Sequence, residues 1–241
     1  MIIDNRPLIG IILDENTSNG GRFYETNKGY FRAIYEAGGA PIGLPYEKTS
    51  LQFAIQNCQG LLSTGARIKF PDYAYIEGEK STSPFSDRFE IEAELIKAFV
   101  EADKPYLGIC NGMQLLGALN GAKMTYQLKA HQKGNIAHDD KQTRHKVEII
   151  PNTHLHQILK ASEITTNSHH SEAILQVSDN ISISAYASDG TIEAIEIKGK
   201  KFAIGVQWHP ELMWPIPQGE HDENSINYIK KLFCEFIRYC N

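Results

Sequence analysis

Hydrophobic and polar positions along the chain change period several times, and each change marks an element. Residues 8–13 (LIGIIL) form a near-continuous apolar run, the pattern of a strand buried on both faces. Over residues 27–37, Tyr30, Ile34 and Ala37 recur at helical spacing, and Gly38-Gly39 supplies a stop. Residues 41–45 and 60–63 read as short strands. The periodicity then disappears between Gly65 and Ser86, a stretch holding Pro71, Gly78 and Pro84, and a loop of this length is usually functional. Residues 87–102 return to a helix with Phe89, Ala93, Ile96 and Val100 on one face. A strand at 105–110 leads straight into a helix at 111–119. Strands alternating with helices predict βα units around a parallel sheet.

The second half is different. Residues 146–150, 173–177, 181–185, 191–197 and 201–207 read as short strands, with Asp189-Gly190 and Lys198-Gly199 as turn signals. A helix from about residue 222 to 239 closes the chain, with Ile226, Ile229, Phe233, Phe236 and Cys240 in one apolar stripe. No repeat, low-complexity tract or linker divides the sequence. One domain over residues 1–241 is expected, an α/β/α sandwich with a central, mostly parallel sheet and an added antiparallel strand region.

Composition narrows the function classes. Of 241 residues, 41% are hydrophobic and 22% charged, which supports a packed core and excludes a disordered chain. The 24 basic and 29 acidic residues leave a net charge of −5 without basic runs, so no nucleic-acid partner is expected. No apolar run approaches the roughly 18 residues that span a bilayer, and Asp4 and Arg6 interrupt what would be a signal peptide. The expectation is a cytoplasmic protein without a membrane partner. Cys58, Cys110, Cys234 and Cys240 lie far apart, as reduced thiols do.

One cysteine stands in a chemically loaded setting. Residues 106–112 (YLGICNG) join a buried strand to a helix through a Gly-x-Cys-x-Gly turn, the logic of a nucleophile elbow with sulfur in place of oxygen. Gly108 and Gly112 remove side chains that would clash in so tight a turn. Cys110 then sits at a helix N-terminus, whose partial positive charge favours thiolate, and the free N–H of Asn111 can serve as an oxyanion donor. The rival reading is a small buried hydrophobe, which fits the other three cysteines. A cysteine nucleophile needs a base, and residues 205–211 (GVQWHPE) offer one. Pro210 biases His209 towards extended backbone, where residues two apart share a side, so Glu211 can orient the imidazole. A metal site finds no support in spacing. His131, His138 and His145 are seven apart in a polar segment, and no His-x-x-x-His or Cys/His pairing exists.

Taken together, these segments resemble the class I glutamine amidotransferase-like superfamily, and within it the gamma-glutamyl-gamma-aminobutyrate hydrolase family. The resemblance covers nearly the whole chain. It includes residues 61–71 (LLSTGARIKFP), Asp87, Arg88 and Glu92, residues 108–114 (GICNGMQ), 167–174 (NSHHSEAI), 188–195 (SDGTIEAI) and GVQWHPE. It implies a flavodoxin-like fold with Cys110 as nucleophile, His209 as base and Glu211 as the orienting residue. It also implies the N–H groups of Gly65 and Asn111 as the oxyanion hole, and Gln114, Asn167, Ser168 and His170 around the substrate. No metal and no cofactor are implied. The sequence departs from the family at Ala66, Ile68, Asn111 and Glu172, where glycine, an acidic residue, arginine and glutamine are usual.

The expected activity is hydrolysis of the gamma-glutamyl C–N bond of a small amine or amino acid through a glutamyl thioester. The expected partner is a small gamma-glutamyl substrate, with a homodimer as the assembly to test. Two alternatives stand beside it: a glutaminase subunit feeding ammonia to a separate synthetase, and a non-catalytic binding or regulatory protein of the same fold.

Overall fold

In the computed structural model, which describes residues 2–3, 5–15, 20, 23–213 and 223–241, each change of sequence period becomes a change of element. The first half holds β1 (Ile2–Ile3), β2 (Arg6–Ile12), β3 (Asp14–Glu15), β4 (Tyr24–Glu25), α1 (Lys28–Glu36), β5 (Ala40–Leu44), α2 (Lys48–Asn57), β6 (Gly60–Ser63), α3 (Arg88–Glu101), β7 (Tyr106–Ile109) and α4 (Asn111–Leu119). The second half adds β8 (Lys123–Thr125), α5 (Leu128–His131), β9 (Arg144–Ile149), α6 (His154–Leu159), β10 (Glu163–Asn167), β11 (Ala173–Gln176), β12 (Ile181–Ala187), β13 (Ile192–Ile197), β14 (Ala203–Val206) and α7 (Glu223–Cys240).

Strands β5, β2, β6, β7 and β14 pair parallel in that order. From β14 the same sheet continues antiparallel through β13, β12, β9 and β10. The antiparallel region is therefore fused to the parallel one, with β14 as the seam. The LIGIIL run is apolar throughout because both faces are covered. Leu8 and Ile12 pack with Leu51, Leu95 and Phe99 of α2 and α3, whereas Ile9 and Ile11 pack with Ile34, Phe233 and Phe236 of α1 and α7. Of the stripe on α7, Ile229, Phe233, Phe236 and Cys240 are buried, and Ile226 lies outside the described side chains.

Sequence patterning misses α2 and β10. Helix α2 buries only Leu51 and Ala54, too narrow a stripe to stand out, and β10 (EITTN) is a mostly polar strand. The stretch from Gly65 to Ser86 holds one 3₁₀ turn, Asp72–Ala74, and is otherwise irregular but well tied down. Glu79 accepts hydrogen bonds from Thr125 Oγ1 at 2.7 Å and the Tyr126 N–H at 3.0 Å. Glu172 accepts from the Tyr75 hydroxyl at 2.6 Å and Ser83 Oγ at 3.0 Å.

Candidate active site

Strand β7 ends at Ile109 and α4 starts at Asn111, so Cys110 alone makes the joint. It holds φ 52° and ψ −103°, a conformation rare for a residue with a Cβ and typical of strain kept for function. The glycines around it are required by close approach. A Cβ on Gly108 would lie 2.6 Å from the Gly112 carbonyl carbon, and one on Gly112 would lie 2.6 Å from the Ser63 carbonyl oxygen. The Tyr106 hydroxyl donates to the Gly112 carbonyl at 2.8 Å, and the Cys110 N–H donates to the Val206 carbonyl at 2.8 Å. That last bond extends the parallel pairing of β7 with β14 and sets Cys110 beside the segment that carries His209.

His209 Nδ1 lies 2.8 Å from Glu211 Oε1. The contact expected from extended chain is made differently: Pro210–Leu212 is a 3₁₀ turn that folds Glu211 back onto the ring. The backbone of His209 is fixed by a two-way bond with Asn167, whose Nδ2 donates to the His209 carbonyl and whose Oδ1 accepts the His209 N–H, both at 2.8 Å. Burial opposes charge on the imidazole, but the Glu211 carboxylate and the Cys110 sulfur outweigh it and hold the His209 pKa well above its ordinary value. Nε2, the nitrogen left for Cys110, is buried and has no hydrogen-bond partner among the described residues. Burial pushes the Cys58 thiol up to about 11 and also raises Cys234 and Cys240.

Tyr30 is a site residue that sequence reading places only on a helix face. Its buried hydroxyl accepts the Gly65 N–H at 2.9 Å, and burial and the Glu211 carboxylate together raise its pKa. The Gly65 N–H expected in the oxyanion hole is thus engaged in this structure. The next N–H, that of Ala66, has no acceptor among the described residues, and Ala66 lines the cavity. Gly65 itself has no room for a side chain, since a Cβ there would lie 2.6 Å from His209 Cε1. Behind this loop Arg88 and Glu92 are fully buried. Arg88 Nε donates to Glu92 Oε2 at 2.6 Å, one Arg88 Nη donates to the Thr64 carbonyl at 2.6 Å, and Ser63 Oγ donates to Glu92.

A cavity of about 520 Å³ opens above the elbow. Gly65, Cys110, Asn111, Gln114, His170 and His209 line it, as do all four positions that depart from the family pattern. Gln114 Nε2 donates to the Glu172 carbonyl at 2.9 Å, and Asn111 Nδ2 is buried with no hydrogen-bond partner among the described residues. Asn167 and Ser168 are not on the wall. Asn167 holds His209, and Ser168 Oγ lies 3.0 Å from His138 Nδ1. The ring of His170 borders the cavity, but its Nε2 points away, 3.7 Å from Glu193 Oε1.

Behind His170 lies a buried group that no sequence spacing announces: His138, His145, His170, Asp189 and Glu193. Burial pulls His170 down to about 4 and pushes Glu193 up to about 7, with His145 and His138 opposing the latter shift.

Residues 7–211 match the model of the peptidase C26 family. The chain belongs to the peptidase C26 family. It is 32% identical to protein NtpR of Enterococcus hirae over 86% of this chain and 91% of that one. It is 29% identical to the gamma-glutamyl-gamma-aminobutyrate hydrolase PuuD of Escherichia coli over 87% of each. In three dimensions it resembles a putative GMP synthase subunit from Thermoplasma acidophilum, with a TM-score of 0.63 at 21% identity over 98% of this chain and 94% of that one. That likeness establishes the glutamine amidotransferase fold. C26 membership makes this a glutamine amidotransferase-like hydrolase.

Proposed function

We propose that this C26 protein hydrolyses gamma-glutamyl amides with Cys110 as nucleophile, His209 as base and Glu211 as its orienter. The observation that carries the reading is the strained Cys110 on the wall of one cavity with a buried imidazole whose pKa is raised by Glu211 and by that same sulfur. The thiolate attacks the gamma-carbonyl carbon and the C–N bond breaks as His209 Nε2 gives its proton to the departing amine. Water then loses a proton to His209 and attacks the thioester, releasing glutamate and restoring the thiol. The Asn111 N–H at the start of α4 is one oxyanion donor, and the second falls to Ala66, because Tyr30 holds Gly65. No residue in this scheme needs a cofactor. Four free thiols and the lack, among the described residues, of a helix long and apolar enough to cross a membrane support a cytoplasmic location.

The test is amine release from a panel of gamma-glutamyl amides that includes glutamine, with wild type and Cys110→Ala. Release that disappears in Cys110→Ala is expected. A panel with no turnover for wild type, or equal turnover for the variant, would sink the reading. Ammonia release from glutamine that needs an added synthetase would move the protein to the glutaminase-subunit class.

A further inference from the structure

The buried group behind His170 has a donor–acceptor imbalance. Each histidine spends its outer nitrogen as a donor. His138 Nε2 lies 2.9 Å from Asp189 Oδ2, and the same carboxylate accepts the Thr191 N–H on Oδ1 at 3.1 Å, so His138 is the donor in this pair. His170 Nδ1 lies 3.1 Å from the Glu172 carbonyl and His145 Nδ1 lies 3.3 Å from the Lys146 carbonyl. Carbonyls accept only, so in the neutral rings the inner nitrogens present lone pairs. Those three nitrogens surround one carboxylate oxygen: Glu193 Oε1 is 3.5 Å from His138 Nδ1, 3.6 Å from His145 Nε2 and 3.7 Å from His170 Nε2.

These separations are too long for hydrogen bonds, and His145 Nε2, His170 Nε2 and both Glu193 oxygens, all buried, have no hydrogen-bond partner among the described residues. His138 Nδ1 is met by Ser168 Oγ, a hydroxyl that can rotate away. Four orphaned acceptors on side chains this buried are costly unless something positive joins them. A proton on Glu193 would supply one donor and leave the other lone pairs facing each other. A divalent cation would satisfy several at once.

We propose that His138 Nδ1, His170 Nε2 and Glu193 form a zinc-type metal site, distinct from the catalytic cysteine. Their ligand atoms lie within 4.8 Å of one another. Zinc with bonds of about 2.05 Å to nitrogen and oxygen sets its tetrahedral ligands roughly 3.3 Å apart, so the two histidine nitrogens need approach Glu193 Oε1 by only a few tenths of an ångström, and each other by at most about 1.5 Å. The outer bonds to Asp189 and the Glu172 carbonyl are the kind that orient metal-ligating histidines. His138 and His170 also border a second cavity of about 410 Å³, which provides an entry path. The ion would clamp the segment from Asn167 to Glu172, which holds the His209 backbone at one end and Gln114 at the other.

The test uses the full chain carrying Cys110→Ala, so that no zinc is held by the catalytic thiolate. After chelator treatment it is titrated with zinc chloride, followed by metal analysis, thermal unfolding and the anomalous signal of zinc in crystals. Uptake of one equivalent is expected, with a raised unfolding midpoint and an anomalous peak between His138, His170 and Glu193. In Glu193→Gln and His170→Gln the affinity should fall by at least about tenfold. No peak at this position, whether zinc fails to bind or sits elsewhere, overturns the proposal even if the variants do not fold. A folded Glu193→Gln protein with undiminished affinity overturns it as well.

Discussion

Cys110 holds a backbone conformation that few residues accept, next to an imidazole whose pKa Glu211 and the Cys110 sulfur raise well above its ordinary value. The other thiols are disfavoured as thiolates by burial, Cys58 up to about 11. Iodoacetamide near neutral pH should therefore label Cys110 first in the folded protein, read by peptide mapping. Labelling of Cys58, Cys234 or Cys240 at an equal rate would contradict the assignment. Tyr30 belongs to the same scale. Its hydroxyl engages the Gly65 N–H beside Glu211, and it does not line the cavity. Tyr30→Phe should lower kcat while leaving KM nearly unchanged, and should cost about 1–3 kcal/mol of stability for the unpaired N–H. An altered KM with normal kcat would place Tyr30 in substrate binding instead. Glu172 lines the cavity with its carboxylate hydrogen-bonded to Tyr75 and Ser83. Because like charges repel strongly at a poorly solvated site, neutral and cationic leaving groups should be cleaved at least as well as carboxylate-bearing ones. In Glu172→Gln the carboxylate-bearing substrate should gain in kcat/KM.

Among elements, the site depends on how closely β7, α4 and the Ser63–Gly65 loop approach. The space for a Cβ at Gly108 is already taken by the backbone of Gly112, and backbone cannot move aside as a flexible side chain can. Gly108→Ala should shift the start of α4 and lose most turnover while the far-ultraviolet circular dichroism stays native. Full activity in a folded Gly108→Ala protein would show that the elbow tolerates a wider turn. The buried Arg88–Glu92 pair fixes the same loop through the Thr64 carbonyl and Ser63. Its sequence signature, Asp87-Arg88 with Glu92 one helical turn on, is visible in the chain, but its role in supporting the Ser63–Gly65 loop is visible only once β6 and α3 pack together.

At the scale of the whole molecule, the charge on His209 couples the site to folding. Its pKa is raised in the folded state, so the stabilisation it brings is fully present below the ordinary imidazole value and is lost as pH rises through the raised one. Glu211→Gln removes the main partner of the imidazolium. The stability gap between wild type and Glu211→Gln in urea should be widest at about pH 6, below the ordinary imidazole pKa, and should narrow as the pH is raised above it. A gap that grows with pH would mean that His209 is neutral in the folded protein.

Sequence by itself determined the features that depend on neighbours along the chain. Apolar runs specify doubly covered strands, helical periodicity specifies α1, α3, α4 and α7, and the Gly-x-Cys-x-Gly turn specifies the strained joint at Cys110. Elements with little to bury, such as α2 and β10, left no readable pattern because pattern is a record of burial. Only the tertiary structure decided that Glu211 reaches His209 through a 3₁₀ turn, that Tyr30 holds the Gly65 N–H, and that Asn167 and Ser168 face away from the cavity. The same holds for the group of His138, His145, His170 and Glu193, which comes from four separate segments of the antiparallel half. Its geometry depends on strand pairing between distant residues, and no local spacing encodes that.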